Sequence, residues 1–127
     1  PTEHSWLYRM ESLQKHNILL AAGSDAPVAS IDPWIAIATA CSRNTKTGQV
    51  LSLDEKLNRW DALKLYTTNA AHATGWEIKR GMIHPDFKAD FILVNHHPLS
   101  CSLENLYQMQ VQQTWIEGNL VYEKQPI

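Results

Sequence analysis

The sequence predicts an α/β fold, with helices around a buried strand in the first part of the chain and β-strands in the last part. Residues 18–22, ILLAA, form an unbroken apolar run that ends at Gly23. Such a run is typical of a strand buried on both faces in a parallel sheet covered by helices. Beyond Gly75, the helical spacing of apolar residues gives way to short extended runs, which indicates strands joined by turns.

Two helices are predicted on either side of this strand. Ser5 can cap the first helix, which ends near His16. The apolar face of this first helix has the spacing i, i+4 and i+7: Trp6, Met10 and Leu13. Asp32 at the N-cap and Pro33 at the first helical position start the second helix. One face of this second helix carries Trp34, Ile37, Ala38 and Cys41.

A third helical region follows a polar loop. Ser52 and Glu55 fit a capping box, in which each side chain satisfies a backbone N–H at the start of a helix. The apolar positions of that helix are Leu57, Trp60 and Leu63. Thr67 or Thr68 can cap a further turn or two, and Gly75 is placed to end it.

The last part of the chain is predicted to be β-rich. Three runs read as strands: residues 91–94, 110–117 and 120–122. Gly118 and Asn119 are predicted to form the two-residue turn of a hairpin. Gly81 opens a further strand-like segment.

Composition narrows the class of protein. A hydrophobic fraction of 44% and a charged fraction of 19% are typical of a globular domain, and the five tryptophans are predicted to lie in its core. With a net charge of −2 and scattered Lys and Arg, no nucleic-acid partner is expected. No apolar run approaches the roughly 20 residues that cross a bilayer, so no membrane partner is expected.

The cysteines and the chain start point to a compartment and to a longer protein. Two cysteines, Cys41 and Cys101, do not make a disulfide framework, so we expect a reducing, cytoplasmic setting. The chain begins at Pro1 with neither an initiator methionine nor a leader, and we therefore expect it to be a piece of something longer.

Asp25 is the candidate chemical residue, because it directly follows the end of the predicted buried strand. In barrels, catalytic groups sit at the C-terminal ends of strands. The alternative is a turn former whose carboxylate bonds nearby backbone N–H groups, and sequence periodicity does not decide between the two. The six histidines do not have the spacing of a metal site and are expected to lie on the surface or in loops: His4, His16, His72, His84, His96 and His97.

Several motifs together resemble the amidohydrolases of the N-substituted formamide deformylase-like branch, often called amidohydrolase family three. LLAAGSDAPV, DPW and ACSR resemble the final barrel strand and the following helix of that family. ALKLYTTNAA resembles its last helices, and GMIHP, ADF, TWIEG and VY resemble its closing β-strands. These segments follow one another in the family's order over nearly the whole chain.

The resemblance implies a fold and a division of the chain. Family members have a (β/α)₈ barrel and a small composite β-sandwich built from both chain ends. This chain is then expected to be a C-terminal fragment, with residues 1–75 as the last α/β units of the barrel and residues 76–127 as part of the sandwich. Where the family has Pro-Gly before its Ala-Asp-Phe strand, this chain has Pro85-Asp86, so Asp86 must bend differently or be strained. Asp90 in that strand motif is expected to hold a turn.

The resemblance also implies a metal site. Family members use a His-x-His pair, a bridging Lys, Glu or Cys, two later histidines and one Asp after the last strand. Only the last position is matched here, by Asp25, which is expected to be metal-facing and catalytic. The parent enzyme is expected to hold a divalent metal, preferably zinc, and to hydrolyse a small-molecule amide, a cyclic amide or a related C–N compound. The isolated chain lacks the other ligands and is expected to be inactive, with no metal bound.

A second class of function stays open: a stand-alone, non-catalytic domain that keeps the scaffold and serves in binding or assembly. A His-x-His motif upstream of Pro1 would favour the enzyme, whereas an initiator directly before Pro1 would favour the non-catalytic domain. A barrel cut in this way leaves open sheet edges, so we expect the isolated chain to form a homo-oligomer.

Overall fold

The computed structural model describes residues 3–126, without the side chains of His4 and Ser5. The expected cap by Ser5 and the surface position of His4 therefore lie outside what is described. The helices are α1 (Met10–Lys15), α2 (Pro33–Ser42), α3 (Arg59–Lys64), α4 (Thr68–Ala73) and α5 (Leu103–Tyr107), with 3-10 helices at Glu3–Trp6 and Leu53–Glu55. The strands are β1 (Phe91–Val94), β2 (Val111–Ile116) and β3 (Asn119–Glu123). Over residues 3–126, the helices are all too short or too polar to cross a bilayer.

Helix α2 begins and packs as its sequence predicts. The backbone N–H of Trp34 donates to the Asp32 carboxylate at 2.9 Å, and Pro33 occupies the first turn. The helix ends at Arg43, whose φ of 62° is left-handed. Three residues of its predicted apolar face are buried, and the fourth is half-buried: Trp34, Ile37, Ala38 and Cys41.

The core forms where α2 meets α3 and α5. Its buried members are Trp34, Ile37, Ala38, Ala40, Leu57, Ala62, Leu65, Leu106 and Met109. Helix α5 was not predicted, although Ser102 caps it by accepting from the N–H of Asn105 at 3.1 Å. The hydroxyl of Tyr107 also bonds Ser42 of α2 at 2.8 Å. The division at residue 75 stays a prediction, and α5, which lies beyond it, packs on α2.

The predicted buried strand at residues 18–22 is absent. The segment has no assigned strand, and Ile18 and Leu19 are 48% and 53% exposed. A strand needs a neighbour to pair with, and within residues 3–126 none lies beside this segment. Helices hold it instead: the N–H of Ala22 donates to the carbonyl of Leu65 at 3.1 Å, and the Asn69 amide donates to the carbonyl of Leu20 at 2.8 Å.

The first predicted helix was wrong in extent, because the chain turns at Tyr8, whose φ is 51°. The buried Arg43 guanidinium donates to the carbonyl of Tyr8 at 3.0 Å and to that of Leu7 at 2.8 Å. These two bonds take carbonyls that a continuous helix would use within itself. Regular α-helix therefore begins only at Met10.

The predicted capping box is also wrong. Ser52 makes no side-chain cap bond, and the segment is a single 3-10 turn. Glu55, only 4% exposed, accepts instead from the N–H of Ser12 at 2.9 Å and from the Ser12 hydroxyl, with Arg9 at 3.6 Å. Burial raises the pKa of Glu55, but the bonds from Ser12 and the charge of Arg9 outweigh it and lower that pKa overall. Glu55 thus links the 3-10 turn to α1 instead of completing a capping box.

Helix α3 begins at Arg59, two residues after Leu57, the first position of the predicted apolar pattern. Leu57 is buried before the helix, and Asn58 caps it by accepting from the N–H of Asp61 at 2.9 Å. Trp60 is 62% exposed, so placing all tryptophans in the core was wrong. The remaining tryptophans divide as follows: Trp34 is buried, Trp115 is half-buried, and Trp6 and Trp76 are exposed.

Helix α4 ends at its predicted residue. Gly75 has a φ of 73° and directly follows the C-cap Thr74. Thr67 precedes the helix without capping it, and its hydroxyl donates to the carbonyl of Leu63 at 3.0 Å. The strand predicted to open at Gly81 does not form; Gly81, with a φ of 98°, lies against α4.

The three strands form one antiparallel sheet in the order β1-β2-β3, with Phe91 stacked on Trp115 at 5.6 Å. The hairpin turn lies one residue earlier than predicted, at Glu117 and Gly118. Both have positive φ, 49° and 78°, which is the backbone that a type I′ turn requires.

Two predictions near this hairpin are confirmed. The Asp90 carboxylate accepts from the N–H of Glu117 at 2.8 Å and pairs with Arg80 at 3.3 Å, so it holds the turn. Asp86 takes the strained alternative, with a φ of 70° where the family has glycine.

A glycine series tests the packing of Gly81 on α4. A Cβ at Gly81 would lie 2.8 Å from the Ala71 Cβ and 3.0 Å from the Thr68 Cα, at a positive φ. We expect Gly81→Ala to lower the free energy of unfolding by about 2–3 kcal/mol, from overpacking and backbone strain together. Gly75 has a positive φ but open space around it, so Gly75→Ala should lower the free energy of unfolding by about 1 kcal/mol. Gly23 has neither a positive φ nor a close neighbour, so Gly23→Ala serves as the control. Equal losses in urea unfolding for all three variants would contradict the packing described.

The contacts of the Glu55 carboxylate with Ser12 and Arg9 predict a specific pH dependence of stability. Because the folded pKa lies below the unfolded value of about 4.3, the carboxylate stabilises the fold above that value and loses its effect as pH falls through the folded pKa. Glu55→Gln should cost about 1–3 kcal/mol at pH 7 and progressively less below pH of about 4. Asp54→Asn removes an exposed neighbouring charge and should have little effect at either pH. A Glu55→Gln loss that did not change with pH would refute the role of the charge.

Candidate functional site

Asp25 lies in the turn between the helix-held segment 18–22 and α2, and its side chain is exposed. The main chain closes this turn by a bond from the N–H of Val28 to the carbonyl of Asp25 at 2.9 Å. The Ser24 hydroxyl accepts from the N–H of Ala26 at 3.3 Å. The role considered for the Asp25 carboxylate in holding this turn thus falls to Ser24.

The Asp25 carboxylate has no hydrogen bond or ion pair within residues 3–126. Its backbone is in the left-handed region, with a φ of 53°, which is uncommon outside glycine although Asp adopts it more readily than most residues. Such backbone is often found at functional sites, where the surrounding structure enforces it. Asp25 is therefore a free carboxylate on a constrained turn, able to accept a proton or to offer one ligand to a cation.

The histidines whose side chains are described form no metal-binding group with Asp25. The Nδ1 of His72 lies 3.7 Å from the Glu77 carboxylate, and the Nδ1 of His84 lies 2.6 Å from the carbonyl oxygen of Pro85. His16 contacts the carbonyl of Ser12 at 2.7 Å. Among the described residues, no three His, Cys, Asp or Glu side chains form a group that could hold a metal.

The residues present therefore fit one ligand of a metal centre but not a whole one. A catalytic zinc site commonly has three protein ligands with an open position, and one carboxylate supplies neither the number nor the geometry. The two cysteines offer no substitute. Burial raises the pKa of the Cys41 thiol, partly offset by the charge of Arg59, and Cys101 accepts from Arg59 at 3.5 Å.

Two features near the helices escaped the sequence analysis. A cleft of about 580 Å³ lies between α4 and β1, lined by Tyr66, Trp76 and Phe91 among others. The Tyr66 hydroxyl is buried without a partner among the described residues, and burial raises its pKa. Asn69 is the second feature: a buried amide bonded to the segment that leads to Asp25. Neither stands out in the sequence, because a single Tyr between two helices or a single Asn within one carries no periodic signal.

Comparison with known proteins gives a coherent set of relatives. A model of the amidohydrolase family matches residues 1–122. The chain is 31% identical to the N-substituted formamide deformylase of Arthrobacter pascens over 96% of its own length and 22% of that protein. Among solved structures it is similar to an amidohydrolase from Thermotoga maritima (TM-score 0.66, 27% identity, 91% of this chain and 26% of that one). It is also similar to an uncharacterised metal-dependent hydrolase from Pyrococcus horikoshii OT3 (TM-score 0.67, 29% identity, covering 80% of this chain and 21% of that one). The chain thus spans about a fifth to a quarter of the length of these relatives.

Proposed function

The chain belongs to the amidohydrolase family, and from this premise we propose that it is the C-terminal part of a metal-dependent hydrolase that cleaves C–N bonds. In this proposal it contributes the end of a (β/α)₈ barrel and part of a composite β-sandwich. The substrate class is a small amide, a cyclic amide or a related compound. The deformylase relative supports this class through its name, which refers to N-substituted formamides.

One observation carries the proposal: an exposed carboxylate, free of protein partners in the described chain, held on left-handed backbone directly after the segment 18–22. The carboxylates of Asp32 and Asp90 accept backbone hydrogen bonds that hold a helix start and a turn. The Asp25 carboxylate accepts none within residues 3–126, so it is available to a proton or a cation. Asp86 shares the positive φ, and what sets Asp25 apart is its place in the turn after the segment 18–22.

The proposed chemistry assigns one role to this chain. A bound divalent cation, with zinc as our expectation, would supply Lewis acidity that makes water a better nucleophile near neutral pH. Asp25, as an unpaired carboxylate, can accept the proton of the attacking water and return it to the departing nitrogen. The other ligands of the cation would come from parts of the protein outside these residues.

Asp25→Asn in the complete protein encoded by the gene tests this role. We expect kcat for hydrolysis of N-substituted formamides or cyclic amides to fall by about 10²–10⁴-fold, because the amide cannot accept the proton. Its free energy of unfolding should stay within about 0.5 kcal/mol of the parent, because no bond is lost. Treatment with a chelator should abolish the parent activity, and added Zn²⁺ should restore it.

Asp90→Asn is the matched control, because it makes the same substitution at an aspartate that holds a turn. It should cost about 1 kcal/mol of stability through a weaker bond to Glu117 and a lost pair with Arg80, and leave kcat nearly unchanged. Parent-like kcat in Asp25→Asn would refute the catalytic assignment. Absence of any C–N hydrolysis in the complete, metal-loaded protein would favour the non-catalytic scaffold.

The isolated chain of 127 residues is proposed to be inactive and to self-associate. Within residues 3–126 the sheet edge at β1 is unpaired, and the apolar side chains of Ile92, Leu93 and Val121 are about half exposed. Open edges and apolar patches of this kind favour pairing with another copy. Sedimentation should give a dimer or larger species. A monomer at high concentration, or Zn²⁺-dependent amide hydrolysis by this chain alone, would each contradict the corresponding part.

A further inference from the structure

We propose that Asn69 is a positioning residue for Asp25, acting through the backbone of Leu20 to fix where the carboxylate stands. This inference rests on the proposed role of Asp25. Asn69 lies in the first turn of α4 and touches neither the turn of Asp25 nor any candidate ligand.

The Asn69 amide is buried and fully oriented. Its side chain is 8% exposed, and its NH₂ group donates to the carbonyl of Leu20 at 2.8 Å. Its amide oxygen accepts from the Thr68 hydroxyl at 3.3 Å. Burying an amide is costly unless its groups are bonded, so this orientation is strongly preferred over a flipped one.

The buried polar side chains of the described chain share a common use. Arg43 binds the carbonyls of Leu7 and Tyr8, and Glu55 binds Ser12. Arg43 thus links the segment before α1 to the end of α2, and Glu55 links the 3-10 turn to α1, so each joins a short non-α-helical segment to a helix. Asn69 does the same for the segment 18–22, the one that leads into Asp25.

The attachment has two points, which fixes direction as well as position. Besides the Asn69 bond, the N–H of Ala22 donates to the carbonyl of Leu65, whose own side chain is buried in the core. Within the described residues no sheet ladder holds this segment. Its path depends on these two bonds, on the bond from the Ile18 N–H to the carbonyl of Leu13 at 3.1 Å and on the packing of Leu20 and Ala22 against the core. Loss of the Asn69 bond removes the hydrogen bond at the middle of the segment, so the path of the following turn is less well fixed.

Asn69→Asp is the sharpest perturbation, because it keeps size and acceptor but replaces the NH₂ donor by an oxygen facing the Leu20 carbonyl. In the complete protein, we expect affinity for Zn²⁺, measured by competition with a chelator, to fall about 10–100-fold, as when a group that orients a ligand is lost. Hydrogen exchange at the Ala22 amide should accelerate in the same variant. Asn105→Asp makes the same change in α5 and should alter neither quantity.

A double-mutant cycle separates positioning from general stability. If Asn69 acts through Asp25, the Asn69→Asp change should shift Zn²⁺ affinity less than twofold once Asp25→Asn is present. A full effect of Asn69→Asp in that background, or no effect in the parent, would overturn the positioning role while leaving Asp25 as a ligand. No effect of Asp25→Asn itself on Zn²⁺ affinity would reject the proposed role of Asp25, and the positioning role with it.

Thr68→Val provides a second route if Asn69→Asp fails to fold. It removes the hydroxyl that holds the Asn69 oxygen and leaves the amide itself intact. The expected result is a smaller loss of Zn²⁺ affinity, between twofold and tenfold, with the unfolding midpoint almost unchanged. Parent-like affinity in Thr68→Val would then count against the proposal.

Discussion

Burial of the apolar face of α2 is the interaction on which the rest of the described structure depends. Its residues pack against α3 and α5, which come from widely separated parts of the chain. Burial of apolar surface stabilises a fold by about 25 cal/mol per Å². The packing of α2 on α3 and α5 is therefore the main source of stability here. Outside the sheet β1–β3, the irregular segments around Leu7, Leu20 and Glu55 are held by buried polar side chains.

These attachments explain where sequence reasoning succeeded and where it failed. Asp32 and Pro33 start α2, and Gly75 ends α4, because each acts on backbone groups within a few residues. The strands β1 to β3 were also found, since alternating β-branched and aromatic residues pair with near neighbours in sequence. Ser52 and Glu55, in contrast, have the spacing of a capping box, but the Glu55 carboxylate binds Ser12 instead. Its partner is distant in sequence, and no local pattern reports it.

The wrong prediction of a strand at residues 18–22 has a different cause. The apolar run predicts a strand, and a strand needs neighbours on both sides to hide its faces. The described chain offers helices on one side, which bond Leu20 and Ala22, and leaves Ile18 and Leu19 exposed. The pattern in the sequence is thus suited to a larger sheet, as expected of a chain that spans about a fifth of its deformylase relative. The turn that carries Asp25 could be predicted from the sequence because its Gly-Ser-Asp-Ala-Pro signal is local.

The carboxylates of this chain differ in whether the fold uses them. Asp32, Glu55 and Asp90 each accept hydrogen bonds from backbone N–H groups, and each therefore lowers the free energy of the fold. Asp25 accepts none within the described residues and sits on backbone that costs energy to maintain. A carboxylate already satisfied by protein donors would bind a cation or a proton only by giving those bonds up. An unpaired carboxylate can do so at no cost to the fold. Asp54 and Asp86 are also unpaired among the described residues, so it is the position of Asp25, in the turn after the segment 18–22, that distinguishes it from them.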